Sequence, residues 1–146
     1  MNDRQQIAPL FLRLAIGFGF MAHGWIKITR GTIGFEKLLT QLSVPFPHLN
    51  ATIVPYIELI GGFAVMAGLF VVAVAIPLLI TMLTAMFTIH LRNGFSSVNT
   101  IGLTPDGPKF GPPGYEINLL YTAGLISLML TGAGKFSLDH LIKKKR

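Results

Sequence analysis

The sequence IVPYIELIGGFAVMAGLFVVAVAIPLLITMLTAMFTIHL, residues 53–91, is an unbroken apolar stretch of 39 residues with one formal charge, at Glu58. An α-helix rises about 1.5 Å per residue, and the hydrocarbon layer of a membrane is about 30 Å thick. The stretch is therefore about twice as long as one crossing requires. We predict two membrane-spanning helices over about residues 53–70 and 72–91, joined by a turn near residues 68–73.

Two more apolar blocks flank this pair, over residues 7–28 and 115–133, the latter being the shortest of the four. Residues 33–42 place apolar side chains at helical spacing beside charged ones, which predicts a short helix on the membrane surface. Residues 91–116 are rich in glycine and proline, which predicts a folded loop or lid. The predicted fold is an all-α integral membrane four-helix bundle with a short interfacial helix in the first long loop, in one domain over residues 1–146.

The composition agrees with a protein whose main partner is the lipid bilayer. Hydrophobic residues make up 51% of the chain and charged residues 12%, with a mean hydropathy of +0.62. The chain has no cysteine, which excludes disulfides, thiolate metal sites and thiol redox chemistry. It also lacks a phosphate-binding loop, a dinucleotide-binding glycine pattern and a nucleophile elbow, and it has nothing for nucleic acid beyond a basic tail.

The distribution of basic residues predicts the orientation. Four crossings place both termini on one side of the membrane and the two long connections on the other. Six lysines and arginines lie on the terminal side, including the tail KKKR at residues 143–146, and five lie in the long connections. The positive-inside rule therefore predicts that both termini are cytoplasmic and that the long loops are not.

All four predicted spans carry polar or ionisable residues at the end next to the long loops. Charge within a bilayer is costly and is tolerated mainly where it pairs, faces other helices or meets water. We therefore expect a shared polar pocket in which basic side chains pair with Glu58 and Glu116. The candidate residues are His23, Lys27, Glu58, His90, Asn93, Tyr115, Glu116 and Asn118.

Simpler roles stay open for these residues. The basic side chains can extend to lipid phosphates, and the two acids can serve only to pair helices. His90 lies almost opposite the hydroxyl stripe of its own helix at about 100° per residue, so it is expected to face headgroups or water. Arg13, in the first span, is expected to extend to the membrane surface or to meet Asp139.

Seven short motifs in this order resemble the DoxX family over nearly the whole chain. They are RL at residues 13–14, AHGWIK at 22–27, LSVPFP at 42–47, IELIGG at 57–62, HLRNGF at 90–95, PGYEINLL at 113–120 and GAGKFSLDH at 132–140. The resemblance implies a small four-helix inner-membrane protein of bacteria or archaea, of a kind often described as an oxidoreductase subunit. One related protein is the small membrane subunit of a thiosulfate:quinone oxidoreductase.

This resemblance implies a membrane subunit linked to redox metabolism that binds a quinone headgroup in the polar pocket. Glu58 and Glu116 are then the candidate catalytic groups, as carriers of the protons that accompany quinone reduction. A first alternative is a non-catalytic membrane anchor or assembly partner for a soluble or membrane redox protein. A second is a haem or metal site, for which His23 and His90 are the candidate ligands because they lie on different helices at similar depth.

Overall fold

The computed structural model describes residues 3–144, so Lys145 and Arg146 of the basic tail lie outside the described residues. The chain is mostly helical. Six helices follow one another as α1 (Asp3–Thr29), α2 (Ile33–Gln41), α3 (Pro47–Ala67), α4 (Val71–Ala85), α5 (Glu116–Thr131) and α6 (Leu138–Lys144). A two-stranded hairpin of β1 (Thr100–Thr104) and β2 (Gly107–Phe110) lies between α4 and α5.

Three of these helices are long and apolar enough to cross a membrane. Within the described residues they cover Gln6–Thr29, Pro47–Ala67 and Val71–Asn93, where the last is α4 with its continuation. The prediction of two helices within residues 53–91 is confirmed, and the turn between them contains Gly68 and Phe70, both with positive φ. The first helix of this pair begins at Pro47, earlier than predicted, because proline suits the first turn of a helix.

The prediction of an all-α chain is wrong in the loop between α4 and α5. Strands β1 and β2 pair there in an antiparallel hairpin. The turn between them carries the sequence Pro105-Asp106-Gly107, in which Gly107 has a φ of 124°. A Pro-Asp-Gly sequence is a strong turn signal, and such a turn between two short extended segments favours a hairpin. The glycines and prolines of this loop therefore bound two short strands instead of excluding them.

The helices pack in a closed order, with α1 against α3, α3 against α4, α4 against α5 and α5 against α1. Small residues allow α1 and α3 to approach closely: a Cβ atom on Gly17 would lie 2.5 Å from the carbonyl oxygen of Gly62. The buried core below the loop end contains Ile16, Phe20, Val65, Leu78, Leu125 and Leu128. Helix α2 packs against α3.

At the opposite end, the C-terminal segment folds back under the turn between α3 and α4. Arg13 is completely buried there and does not reach the surface; its Nη2 donates to the carbonyl oxygen of Phe136. Asp139 has a favourable electrostatic interaction with Arg13. The Asp139 carboxylate also accepts hydrogen bonds from the backbone N–H groups of Phe70 (2.8 Å) and Val71 (3.2 Å). Asp139 therefore caps the beginning of α4.

Replacing Asp139 with alanine lowers the free energy of unfolding by at least about 1–2 kcal/mol, because two N–H groups at the start of α4 lose their acceptor and buried Arg13 loses a favourable electrostatic partner. Chemical unfolding of the detergent-purified protein measures this change. Asp106→Ala, at an exposed position in the hairpin turn, is the matched control, with an expected change within about 0.5 kcal/mol. Equal stability of the two variants contradicts the capping role.

Candidate functional site

A cavity of about 520 Å³ lies between the helices at the end next to the long loops. Helices α1, α3, α4 and α5 form its walls, α2 covers one side, and Pro113 and Gly114 close it from the loop that precedes α5. At the core side, the Phe20 and Tyr121 rings meet edge to face with centroids 5.2 Å apart. The volume is in the range of small-molecule sites.

A partly buried ion pair lies at the α1–α3 side of the cavity. Lys27 Nζ is 2.5 Å from Glu58 Oε1 and 2.6 Å from Oε2, and the Glu58 side chain is only 5% exposed. The same ammonium group lies 4.9 Å from the centre of the Phe35 ring on α2. Gly24 allows this pairing, because its missing side chain lets α1 approach the backbone of α3 beside Glu58. The two charges compensate each other, which leaves this part of the cavity neutral.

His90, in the continuation of α4, lines the cavity together with the hydroxyl stripe, although regular α-helical rotation would place it almost opposite that stripe. The reason is a wide π-helical turn at Met86–His90, which continues α4 with i→i+5 hydrogen bonds. Each residue of such a turn rotates less about the axis than in an α-helix, so the assumed α-helical rotation misplaces His90. His90 Nδ1 lies 3.0 Å from the carbonyl oxygen of Pro113, and Asn93 Nδ2 donates to the same oxygen at 3.1 Å.

His23 and Asn118 complete the predicted residues that line the cavity. His23 is on α1 and is exposed, so it lies where the cavity opens. Asn118 is on α5 and is only 6% exposed; its Nδ2 lies 3.0 Å from the Sδ atom of Met82 on α4. The cavity therefore receives polar side chains from all four long helices.

Three predicted residues do not line the cavity. The carboxylate of Glu116 accepts hydrogen bonds from the backbone N–H (3.0 Å) and the hydroxyl (2.6 Å) of Ser97, so it holds the loop and does not pair with Lys27. The Tyr115 ring packs edge to face on Phe95. Asn93 lies outside the cavity and donates to the carbonyl oxygen of Pro113, which lines it. These groups shape the cavity from outside.

Sequence reasoning missed two parts of the lining. The apolar face of α2 contributes Phe35, Leu38 and Leu39, although the amphipathic pattern predicts only that this face meets something apolar. Thr81, Thr84 and Thr88 line the α4 side, where the hydroxyl stripe is a visible signal that is equally typical of helix packing.

The cavity offers few side chains that could act as metal ligands. No group of three or more histidine, aspartate or glutamate side chains that could hold a metal ion occurs among the side chains that the structure describes. His23 and His90 do line the same cavity. The haem or metal hypothesis therefore depends on these two histidines.

Comparisons with known proteins agree with this architecture. The sequence model of the DoxX family matches residues 8–91. The chain is 31% identical to "putative oxidoreductase CatD" of Bacillus subtilis, with 99% of this chain and 93% of that protein aligned. It is 29% identical to inner membrane protein YqjF of Escherichia coli over 99% of both chains, and 28% identical to membrane protein Rv3486 of Mycobacterium tuberculosis over 92% of this chain and 80% of that one. No solved structure matches. Because the family model matches more than half of the chain and these relatives align with it over at least four fifths of their length, the chain belongs to the DoxX family.

Proposed function

We propose that this protein is a four-helix inner-membrane subunit of redox metabolism that binds a quinone headgroup in the cavity between its helices. In this proposal α5 is the fourth crossing, although its 16 residues rise only about 24 Å. Helix α5 packs against α4 and α1, so it lies beside two of the three longer spans. This packing supports the assignment. Helix α2 lies at the membrane surface, both termini are cytoplasmic and the cavity opens on the other side.

The proposal rests on the chemical nature of the residues that line the cavity. It combines mainly apolar walls with a few polar groups, as sites for amphiphilic small molecules do. Lys27 and Glu58 neutralise each other, so a charged ligand would be buried there without compensation. A neutral ring with oxygen substituents and an apolar tail matches these walls.

A quinone supplies two-electron chemistry that is coupled to the uptake or release of two protons. Glu58 is the carboxylate that lines the cavity among the described residues, and we assign it the role of passing protons to or from the ligand. Lys27 orients that carboxylate and offers N–H donors to a ligand oxygen. Glu116 keeps no such role in this proposal, because Ser97 occupies its carboxylate. The name of the relative from Bacillus subtilis, an oxidoreductase, supports a redox role.

Filling the cavity tests the proposal. Ala85 lines the cavity on α4, and Ala73 is exposed on the same helix outside it. We expect Ala85→Phe to weaken the binding of decylubiquinone to the detergent-purified protein at least about tenfold, because the added ring occupies the space of the headgroup. Ala73→Phe should leave binding unchanged. Titration calorimetry measures both affinities.

Polar substitutions give a second check in the same titration. Glu58→Gln and His23→Ala should weaken binding more than Arg13→Lys, since Arg13 does not line the cavity and contacts the C-terminal segment instead. Equal affinities in the wild type and in Ala85→Phe contradict a headgroup site in this cavity.

An alternative function is a membrane anchor for a redox partner. The loop hairpin favours it, because Leu103 is 85% exposed and Phe110 is 61% exposed, and apolar side chains on a solvated loop are typical of docking surfaces. Absence of quinone binding together with retention of a co-purifying redox enzyme would support this alternative.

A further inference from the structure

We propose that the end of the bundle opposite the cavity carries a binding site for the headgroup of an anionic phospholipid. The site is a groove of about 200 Å³, here called the terminal groove, where the start of α1, the end of α5 and helix α6 meet. The polar side chains that line it are Gln6, Thr131, Ser137, Asp139, His140 and Lys143. The proposed function makes no use of this groove, so the two proposals stand or fall separately.

The terminal groove lies at a membrane boundary. Gln6 is the first residue of the apolar segment Gln6–Thr29, which is long enough to cross a membrane. The 24 residues of this segment rise about 36 Å as a helix, more than the hydrocarbon layer of about 30 Å. The ends of such a helix lie among the lipid headgroups. A groove lined by Gln6 is therefore at the depth of phosphate groups.

Three of the lining side chains have donors to offer to a phosphate. The ammonium group of Lys143 and the imidazole of His140 lie on α6, and the amide of Gln6 lies on α1. None of these side-chain groups donates a hydrogen bond to another described residue. The hydroxyls of Thr131 and Ser137 add no donor, because their protons are directed to the carbonyl oxygens of Ser127 and Gly134.

Asp139 is the acidic residue of the lining, and its charge is already compensated. Its carboxylate accepts the backbone N–H groups of Phe70 and Val71 and has a favourable electrostatic interaction with buried Arg13. Lys143 therefore sets the sign of the charge in the groove. Lys144 follows it on α6, and two more basic residues end the sequence. Such a basic surface at a membrane boundary attracts anionic lipid.

The surface around the terminal groove distinguishes a lipid from a soluble phosphate compound. Apolar side chains are exposed beside the lining residues, at Phe11 on α1, Leu130 on α5 and Leu141 on α6. A phospholipid can place its headgroup in the groove and its acyl chains along the apolar faces of α1 and α5, which a soluble phosphate compound cannot do. The combination of basic groove and apolar surround therefore favours a phospholipid.

A comparison of two lipids with the same acyl chains tests this inference. Phosphatidylglycerol carries a net negative charge, whereas the choline group of phosphatidylcholine cancels the charge of its phosphate and is repelled by Lys143. Native mass spectrometry of the full-length protein in a neutral detergent counts the bound lipids. We expect the first phosphatidylglycerol to bind at least about fivefold more tightly than phosphatidylcholine. Inorganic phosphate at the same concentration should not displace it.

Two charge reversals on α6 test the position of the site. Lys143→Glu should weaken the binding of phosphatidylglycerol at least about tenfold and leave that of phosphatidylcholine unchanged, because it places a negative charge in the groove. Lys144→Glu changes the net charge equally, but Lys144 does not line the groove. Salt screens its charge, so we expect a loss of less than about threefold. Both positions are exposed, so neither substitution disturbs the core.

The possible outcomes are distinct. Equal affinity for the two lipids contradicts an anionic headgroup site. Equal losses in Lys143→Glu and Lys144→Glu contradict a site in the terminal groove, because they indicate general attraction between a basic surface and an anionic lipid. Displacement of the lipid by inorganic phosphate overturns the lipid in favour of a soluble phosphate ligand. None of these results bears on quinone binding at the other end of the bundle.

Discussion

Replacing Gly17 with alanine lowers the free energy of unfolding by about 3 kcal/mol, at the upper end of what overpacking of a core costs. A Cβ atom at this position would lie 2.5 Å from the carbonyl oxygen of Gly62 and 2.9 Å from the backbone nitrogen of Met66. Both atoms belong to the backbone of α3, so no change of rotamer relieves the contact. The helices α1 and α3 must separate, and the two walls that hold Lys27 and Glu58 separate with them.

Thermal unfolding of the protein in detergent measures this loss, and we expect the midpoint to fall by roughly 10 °C. Gly34→Ala on α2 is the matched control, because a Cβ atom there would meet no heavy atom of the described residues within 4 Å. Alanine should leave stability unchanged or raise it slightly through its higher helix propensity. A Gly17→Ala variant as stable as Gly34→Ala would contradict the close approach of α1 and α3.

Replacing Lys27 with methionine should destabilise the protein by about 3–5 kcal/mol, because it leaves a buried carboxylate without its partner. The Glu58 side chain is 5% exposed, whereas that of Lys27 is 26% exposed. Lys27→Met should therefore lower the free energy of unfolding more than Glu58→Gln does. In Glu58→Gln the unpaired lysine can extend toward water, whereas in Lys27→Met the unpaired glutamate stays buried.

The double variant Lys27→Met/Glu58→Gln allows the interaction energy between the two side chains to be measured. It should be more stable than Lys27→Met alone by at least about 1 kcal/mol, because it removes the uncompensated charge. Chemical unfolding of the wild type, the two single variants and the double variant gives the coupling energy. Additive effects of the two substitutions would show that the ion pair contributes nothing to stability.

Hydropathy is sufficient to predict the three long apolar helices, because burial in lipid requires long apolar segments whatever they pack against. The pair of helices within residues 53–91 is present, and its turn lies where glycine and a break in the pattern indicate it. The hairpin at Thr100–Phe110 was missed although Pro105-Asp106-Gly107 is a turn signal. A count of glycines and prolines hides such a signal, because the same residues bound strands and interrupt them.

The positions of the cavity side chains are predictable from the sequence where they lie on regular α-helices. They are not predictable where the backbone departs from α-helical geometry. Lys27 and Glu58 meet because each lies on an α-helical face that small residues bring against the other. His90 follows a π-helical turn, and nothing in a periodicity of about 100° per residue indicates its position. Glu116 follows a loop whose path depends on contacts with Ser97, and these contacts are not visible in the sequence.

The most direct test of a neutral cavity for a quinone is the content of the wild-type protein purified from bacterial membranes in mild detergent. An absorbance spectrum and mass spectrometry of an organic extract are recorded on the same sample. We predict that the extract contains a membrane quinone, and that the Ala85→Phe variant prepared in parallel contains much less of it. A Soret band, or equal quinone in the wild type and the variant, would contradict the account.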